Sequence, residues 1–124
     1  MPDDAQTILV IDDHPLMRKG IVQLIAMENS LRLVGEAGDG QQGLALARQL
    51  RPDLILLDLN MRGMSGQELL RTLKAEDHDA RVIILTVSDS EEDVVEALRA
   101  GADGYLLKDM EPEDVLHSLR AAAQ

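Results

Sequence analysis

Four apolar runs of the sequence end in polar residues of the kinds that handle phosphoryl groups. The carboxylates Asp12 and Asp13 follow one run and a third carboxylate, Asp58, follows another, while a hydroxyl, Thr86, and an ammonium, Lys108, end two later runs. Each residue alone has an ordinary explanation, as a helix cap, a turn, a strand residue or a surface lysine. If the fold brings them to one place, they could carry out in-line phosphoryl transfer to a carboxylate.

Three converging carboxylates would also favour a metal ion. Like charges raise one another's pKa values, and a divalent cation removes that cost. The chain has no cysteine, and its three histidines, His14, His78 and His117, are too scattered to form a ligand set of their own. Oxygen ligands indicate Mg²⁺, with Mn²⁺ as a substitute. Because an aspartate is already ionised at neutral pH, no general base is needed. We therefore expect self-phosphorylation from an external donor and slow hydrolysis, not enzymatic turnover.

The elements that must position these residues alternate along the chain. Short β-branched or leucine-rich runs predict strands at residues 8–12, 32–35, 53–57, 81–86 and 104–107. Apolar residues at helical spacing predict a helix after each strand, the second of them at residues 41–50. Local signals mark the helix ends. Pro15 and Pro112 mark the starts of the first and fifth helices, and Pro52 stops the second. Ser65 with Glu68 and Ser90 with Asp93 have the spacing of N-terminal caps for the third and fourth helices, and Gly101 marks the end of the fourth.

Five strands that each precede a helix predict an α/β fold with a parallel sheet covered on both faces. Right-handed crossovers and the chain length favour the flavodoxin-like, doubly wound (βα)5 three-layer sandwich with strand order 2-1-3-4-5. In such sheets a site forms at the carboxyl ends of the strands, where strands 1 and 3 diverge. The length of 124 residues suits one domain, which we expect to span residues 1–124.

The composition argues against several other kinds of protein. Twelve basic and 23 acidic residues give a net charge of −11, which would repel a phosphate backbone, so this segment should not bind nucleic acid by itself. The longest apolar runs are strand-sized, and Met1-Pro2-Asp3-Asp4 lacks the basic start of a signal peptide, so neither a membrane span nor export is expected. The lack of cysteine fits a cytoplasmic protein.

Four segments, in order, resemble the response regulator receiver (CheY-like) family over the whole chain. They are Ile11-Asp12-Asp13-His14-Pro15, Leu56-Leu57-Asp58-Leu59-Asn60-Met61, Leu85-Thr86-Val87-Ser88 and Gly101-Ala102-Asp103-Gly104-Tyr105-Leu106-Leu107-Lys108-Asp109. Residues 12–15, 90–95 and 106–114 are also similar to the nitrate/nitrite two-component response regulators of NarL type. The resemblance implies a sensor histidine kinase as phosphoryl donor and, in the full-length protein, a C-terminal helix-turn-helix DNA-binding domain beyond this chain. It leaves open a homodimer.

The resemblance also implies a role for each carboxylate of the cluster. Asp58 would be the phosphoacceptor of a transcriptional regulator that switches conformation when phosphorylated. Asp13, Asp58 and the backbone carbonyl of Asn60 would be direct Mg²⁺ ligands, and Asp12 would act through a water molecule. These assignments cover the two loops that follow the first and third predicted strands.

The phosphoryl contacts and the switch follow from the same resemblance. Lys108 and Thr86 would contact the phosphoryl oxygens, and Thr86 would form the switch with Tyr105, the only aromatic residue of the chain. One departure is clear, because Arg62 stands where the family commonly has proline. It removes a stiff residue from the loop after Asp58 and adds a cation near the acidic pocket, which bears on loop geometry and phosphoryl lifetime.

Three other functions can be compared with the same residues. A Mg²⁺-dependent hydrolase of the haloacid dehalogenase type would need an acid two residues after Asp58, where this chain has Asn60. A flavin-binding module would need a hydroxyl- and glycine-rich phosphate loop after the first strand, where Asp12 and Asp13 would repel a phosphate. A stand-alone receiver that acts only by protein contact would not need the complete set of acidic, hydroxyl and lysine residues.

Overall fold

The described residues form a single sheet of five parallel strands, each followed by a helix. The computed structural model describes residues 5–61, 63–76, 80–86 and 91–123, apart from the side chains of Glu91 and Asp93. The elements are β1 (Gln6–Ile11), α1 (Pro15–Ala26), β2 (Leu31–Ala37), α2 (Gly40–Leu50), β3 (Leu54–Asp58), α3 (Gly66–Ala75), β4 (Arg81–Thr86), α4 (Glu91–Arg99), β5 (Gly104–Leu107) and α5 (Pro112–Ala122). The strand order β2-β1-β3-β4-β5 confirms the predicted flavodoxin-like topology.

The strand bounds differ from the predicted ones where pairing reaches beyond the apolar run. β1 begins at Gln6, which pairs with Leu31 of β2, and β2 extends to Ala37 because that residue pairs with Ile11. The predicted inclusion of Asp12 in β1 is wrong, since the strand ends at Ile11 and Asp12 lies in the following loop. β3 includes Asp58, one residue further than predicted. The predicted bounds of β4 and β5 are confirmed.

Helix ends follow the local signals in the sequence. Ser65 caps α3 and its hydroxyl accepts a hydrogen bond from the Glu68 amide. Gly101 has φ +110°, and the amide of Ala102 donates to the carbonyl of Ala97 at 3.0 Å, so a left-handed residue closes α4 as predicted. The predicted cap of α4 cannot be compared, because Ser90 and the Asp93 side chain lie outside the described residues.

The core is aliphatic and lies in two layers, one on each face of the sheet. Leucine, isoleucine and alanine side chains of β1, β3 and β4 pack against α2 and α3 on one face, and against α1 and α5 on the other. All five residues of β3 are buried. β3 thus lies in the core along its whole length and carries Asp58 at its carboxyl end. Within the described ranges, no helix has the length and apolar character needed to cross a bilayer.

Candidate functional site

The buried polar residues of the described ranges lie at one edge of the sheet. These residues are Asp12, Asp58 and Thr86, and each is 0% exposed. Asp12 follows β1, Asp58 ends β3 and Thr86 ends β4. Because these are parallel strands, their carboxyl ends meet at the same edge. The structure therefore brings together the three strand ends that the sequence singles out.

Lys108 supplies a buried positive charge to this edge. It follows β5, and its backbone amide donates to the Thr86 carbonyl at 2.8 Å, which fixes the start of the side chain beside β4. Its ammonium Nζ lies 3.4 Å from Asp12 Oδ2 and 3.3 Å from Asp58 Oδ2, and the side chain is only 6% exposed. The predicted juxtaposition of this lysine with the carboxylates is present.

His14 also belongs to the cluster, although the spacing of the histidines in the sequence does not indicate it. Its ring nitrogen Nδ1 lies 3.1 Å from an oxygen of Asp12 and 3.2 Å from oxygens of both Asp13 and Asp58. The histidines are scattered in sequence, but a ligand set does not have to consist of histidines. Possible ligand atoms of His14 and of the three carboxylates all lie within 4.8 Å of one another, so a single histidine could join the carboxylates in holding an ion.

The two oxygens of Asp58 have different surroundings. Oδ1 accepts a hydrogen bond from the Asn60 amide at 3.0 Å. Oδ2 is buried and accepts no hydrogen bond from any described residue. Burial raises the pKa of the Asp58 carboxyl above its ordinary value, and the negative charge of Asp12 raises it further, while the Asn60 hydrogen bond and Lys108 act in the opposite direction. On balance, the surroundings of Asp58 therefore disfavour the charged form of its carboxyl.

Thr86 and Asn60 connect β4 with the loop after β3. The Asn60 amide Nδ2 donates to the Thr86 hydroxyl at 3.2 Å. Tyr105, in contrast, is 47% exposed and pairs with Ile84, two residues before Thr86. Since side chains alternate across a strand, Tyr105 and Thr86 lie on the same face of the sheet. Arg62, the residue at the departure from the family pattern, lies outside the described residues.

A partly buried arginine, Arg18, contacts the loop after β1, and no spacing or motif in the sequence indicates it. Arg18 of α1 donates through one guanidinium nitrogen to the Asp12 carbonyl at 2.8 Å and through Nε to Glu36 of β2 at 3.0 Å. The arginine side chain is 18% exposed. No residue at the end of β2 is predicted to contact the phosphoryl group. Through Glu36, however, β2 holds the arginine that positions the Asp12 backbone.

Gly66 brings α3 against the end of β3. A Cβ atom at this position would lie 2.5 Å from the Asp58 carbonyl oxygen and 2.6 Å from the Leu59 Cα, both backbone atoms that cannot move aside. The Gly66 amide donates to the Leu59 carbonyl at 3.3 Å. The backbone that carries Asp58 and Asn60 is therefore fixed from the side of α3.

The carboxylate oxygens of the cluster are suitable ligands for a hard divalent cation. Asp12 Oδ2 and Asp58 Oδ2 are both buried and accept no hydrogen bond from the described residues, although both lie near Lys108. A buried carboxylate oxygen without a donor is costly unless a cation supplies the interaction. Carboxylate oxygens are the ligands that Mg²⁺ and Mn²⁺ prefer.

Comparison with known proteins gives a consistent result for the whole chain. The sequence profile of the response regulator receiver domain matches residues 8–120. The nitrate/nitrite response regulator protein NarL of Escherichia coli strain K12 is 58% identical over 120 residues, covering 97% of this chain and 56% of that protein. A nitrate/nitrite response regulator homolog of Haemophilus influenzae is 49% identical over 121 residues, covering 98% of this chain and 58% of its own. The chain thus spans little more than half the length of these relatives.

Solved structures give the same answer for the fold. The signal receiver domain of a protein described as the response regulator NarL from Mycobacterium tuberculosis superimposes with a TM-score of 0.92 at 34% identity, covering 97% of each chain. A two-component response regulator of the LuxR family from Aurantimonas superimposes with a TM-score of 0.90 at 31% identity, covering 96% of this chain and 85% of that one.

Proposed function

The chain belongs to the response regulator receiver domain family, and from this premise we propose that it accepts a phosphoryl group on Asp58 in a reaction that needs Mg²⁺. The observation that carries the proposal is the buried cluster of Asp12, Asp58 and Lys108, in which Lys108 Nζ lies 3.3 Å from Asp58 Oδ2. The relatives are named as response regulators, which supports a role as phosphoacceptor and not as an enzyme with many turnovers. The proposed receiver domain spans residues 1–124.

Asp13, Asp58 and the Asn60 carbonyl would hold the Mg²⁺ ion directly, and Asp12 would act through water. When bound, the ion supplies charge neutralisation for the phosphoryl oxygens. The support in this chain is the pair of buried carboxylate oxygens that accept no hydrogen bond from described residues. Mn²⁺ would serve as a substitute, because it prefers similar oxygen ligands.

Asp58 is suited to be the nucleophile because its carboxylate lies beside the Lys108 ammonium and its backbone packs against Gly66 at the start of α3. The Asn60 backbone amide donates to Oδ1 and so orients the carboxylate for attack by one of its oxygens on the phosphorus of a donor. The oxygen would form the new bond to phosphorus while the leaving group of the donor departs with its electron pair. Lys108 would offset the charge of the transferred oxygens, and Thr86 would donate its hydroxyl to one of them.

Intact mass spectrometry with acetyl phosphate and Mg²⁺ tests the acceptor. The parent protein should gain one phosphoryl group, and Asp58→Asn should gain none. Asp114→Asn is the matched control, since this exposed carboxylate lies on α5, and it should label like the parent. Full labelling of Asp58→Asn would show that the acceptor lies elsewhere. Rapid consumption of acetyl phosphate over many cycles would favour a hydrolase instead.

The phosphoryl group is proposed to switch the surface near Tyr105 through Thr86. A phosphoryl group brings about −1.5 to −2 charges and three acceptor oxygens, so it should draw the Thr86 hydroxyl away from Asn60, which donates to it at 3.2 Å. Movement of Thr86 would vacate space on the face that it shares with the half-exposed Tyr105 ring. Two populated states of the ring, inward and outward, would then constitute the switch.

Tyr105 ring signals in NMR spectra test this coupling. Phosphorylation should shift the ring signals of the parent protein, and Thr86→Ala should still be labelled on Asp58 but lose most of the shift. Thr72→Ala is the control, because the Thr72 hydroxyl donates only to the Glu68 carbonyl within α3 among the bonds described for it. An equal shift in the parent and in Thr86→Ala would refute the coupling, and the signal would then have to pass through another segment.

The partners are inferred from the named relatives. A sensor histidine kinase would be the donor, and a C-terminal DNA-binding domain of the full-length protein would be the output, as expected for two-component transcriptional regulators of NarL type. Homologues named as transcriptional regulatory proteins support this output. The net charge of −11 supports DNA contact through that other domain and not through this segment. A homodimer and a cytoplasmic location also belong to the proposal.

A further inference from the structure

The backbone fixes His14 at the edge of the acidic cluster. The residue is the N-cap of α1, with φ −98° and ψ 104°, and Pro15 follows it. A residue before proline is held in an extended conformation by steric contact with the proline ring. The His14 amide also donates to Asp12 Oδ1 at 2.8 Å. The start of the imidazole side chain is thus held in place by two independent constraints.

The imidazole ring turns one nitrogen toward the carboxylates and the rest toward solvent. The side chain is 56% exposed, yet Nδ1 lies 3.1, 3.2 and 3.2 Å from oxygens of Asp12, Asp13 and Asp58. Nδ1 is also 3.2 Å from Lys108 Nζ. A single nitrogen cannot donate its one hydrogen to three oxygens and also accept from an ammonium. Hydrogen bonding alone therefore does not account for the four contacts.

The distances among these atoms are those between neighbouring ligands of one ion. Metal–ligand distances of about 2.1 Å in octahedral geometry separate adjacent ligand atoms by about 3 Å. The separations between Nδ1 and the oxygens of Asp13 and Asp58, the two carboxylates proposed as direct ligands, are both 3.2 Å and so fall close to this value. A second observation points to the same place, because the Asp58 Oδ2 that lies 3.2 Å from Nδ1 is buried and accepts no hydrogen bond from described residues.

We propose that His14 Nδ1 is a further ligand of the divalent cation, and that this site consequently favours Mn²⁺ over Mg²⁺ more than an all-oxygen site would. The inference rests on the proposed function, since it concerns the same ion. An imidazole nitrogen binds transition ions better than it binds Mg²⁺, which keeps oxygen and water ligands. Replacing one oxygen ligand by nitrogen therefore raises the affinity for Mn²⁺ while contributing little to the affinity for Mg²⁺.

Metal binding to the unphosphorylated protein provides the test, with no catalytic readout. Titration with MnCl₂, followed by the loss of the free Mn²⁺ electron spin resonance signal, gives the Mn²⁺ dissociation constant, and competition gives that of Mg²⁺. His14→Asn should weaken Mn²⁺ binding by about 10-fold or more. The same variant should change Mg²⁺ binding by less than about 3-fold. His117→Asn, at an exposed position of α5, should bind both ions like the parent.

Pulsed spin-echo measurements on the Mn²⁺ complex report ligation directly. The parent should show the modulation of a directly bound imidazole nitrogen, with the pattern changed by ¹⁵N-histidine labelling, and His14→Asn should lack it. Unchanged Mn²⁺ affinity in His14→Asn, or no nitrogen modulation in the parent, would overturn the inference while the carboxylate site stands. Tighter binding of both ions by His14→Asn would also overturn it, since the ring would then be displaced by metal. Absence of any metal binding by the parent would instead contradict the proposed function.

Discussion

Replacement of Lys108 by methionine removes the positive charge of the cluster while keeping a side chain of similar length. Lys108 Nζ lies 3.3 Å from Asp58 Oδ2 and 3.4 Å from Asp12 Oδ2, and all three side chains are buried. At an effective dielectric constant of about 20, each contact corresponds to about 5 kcal/mol of Coulomb attraction. Return of the ammonium to water in the unfolded state offsets much of this, so the net loss of unfolding free energy should be about 3–5 kcal/mol without metal.

Urea unfolding followed by far-ultraviolet circular dichroism measures this loss. The domain should remain folded, because domains of this kind have unfolding free energies of about 5–15 kcal/mol. Lys74→Met is the matched control: Lys74 lies 3.0 Å from Asp103, but both side chains are partly exposed, and exposed pairs contribute at most about 1 kcal/mol. The contrast between the two lysines would show that burial, and not pairing alone, determines the contribution.

A double-mutant cycle with Asp58→Asn identifies the origin of the effect. If Lys108 stabilises the fold by compensating Asp58, then Lys108→Met should cost less in the Asp58→Asn background, with a coupling of about 1–3 kcal/mol. Equal losses in both backgrounds would refute the electrostatic explanation and would mean that Lys108 acts through packing of its aliphatic stem. A loss below about 1 kcal/mol in the parent background would show that the charges are screened as at an exposed surface.

Three further predictions concern the same edge of the sheet. Because burial raises the pKa of the folded-state Asp58 carboxyl, its charge destabilises the fold above that pKa and ceases to do so as pH falls through it. Asp58→Asn should therefore stabilise the protein by about 1–3 kcal/mol at neutral pH, and thermal unfolding should show this gain vanish toward pH 4 or below. Gly66→Ala should cost about 2–3 kcal/mol in urea unfolding, because its Cβ would lie 2.5 Å from a backbone oxygen. Gly20→Ala, with nothing within 4 Å of its Cβ, should be neutral or stabilising. Mg²⁺ at ten times its dissociation constant should stabilise the parent by about 1.4 kcal/mol, and Asp13→Asn should lose most of this gain. A melting temperature of the parent that is indifferent to Mg²⁺ would exclude the metal site.

The sheet order was predictable because it depends on local signals that repeat along the chain. Each apolar run was followed by a helical pattern, and right-handed crossovers left few arrangements. The strand ends were harder to predict, because pairing and not composition sets them. Gln6 is polar, yet it belongs to β1 because it pairs with Leu31 of the neighbouring strand β2. Asp12 follows the apolar run, yet it lies outside β1 because the chain already turns toward α1.

The residues of the site also differ in how far the sequence predicts their positions. Residues at strand ends could be predicted, whereas residues placed by tertiary contacts could not. The sequence predicts that Asp58, Thr86 and Lys108 lie close together, because each ends or directly follows a strand of one parallel sheet. The position of His14 could not be predicted, because its contact with the carboxylates depends on the rotation of one side chain in the loop before α1. Arg18 was missed for a similar reason, since its bond to the Asp12 carbonyl joins an ordinary helix position to a loop backbone.

The charge of the cluster explains why a divalent ion, and neither a monovalent ion nor a second lysine, suits this edge. The carboxylates of Asp12, Asp13 and Asp58 lie around one buried ammonium, that of Lys108, so among the described residues of the cluster the formal negative charges exceed the positive ones by two. A doubly charged ion removes this excess without burying another long side chain. It would also free Lys108, now divided between two carboxylates, to interact with an incoming phosphoryl group. Loss of any one carboxylate leaves a single excess charge, which a divalent ion overcompensates. Ion affinity should therefore depend on all three carboxylates, including one that binds only through water.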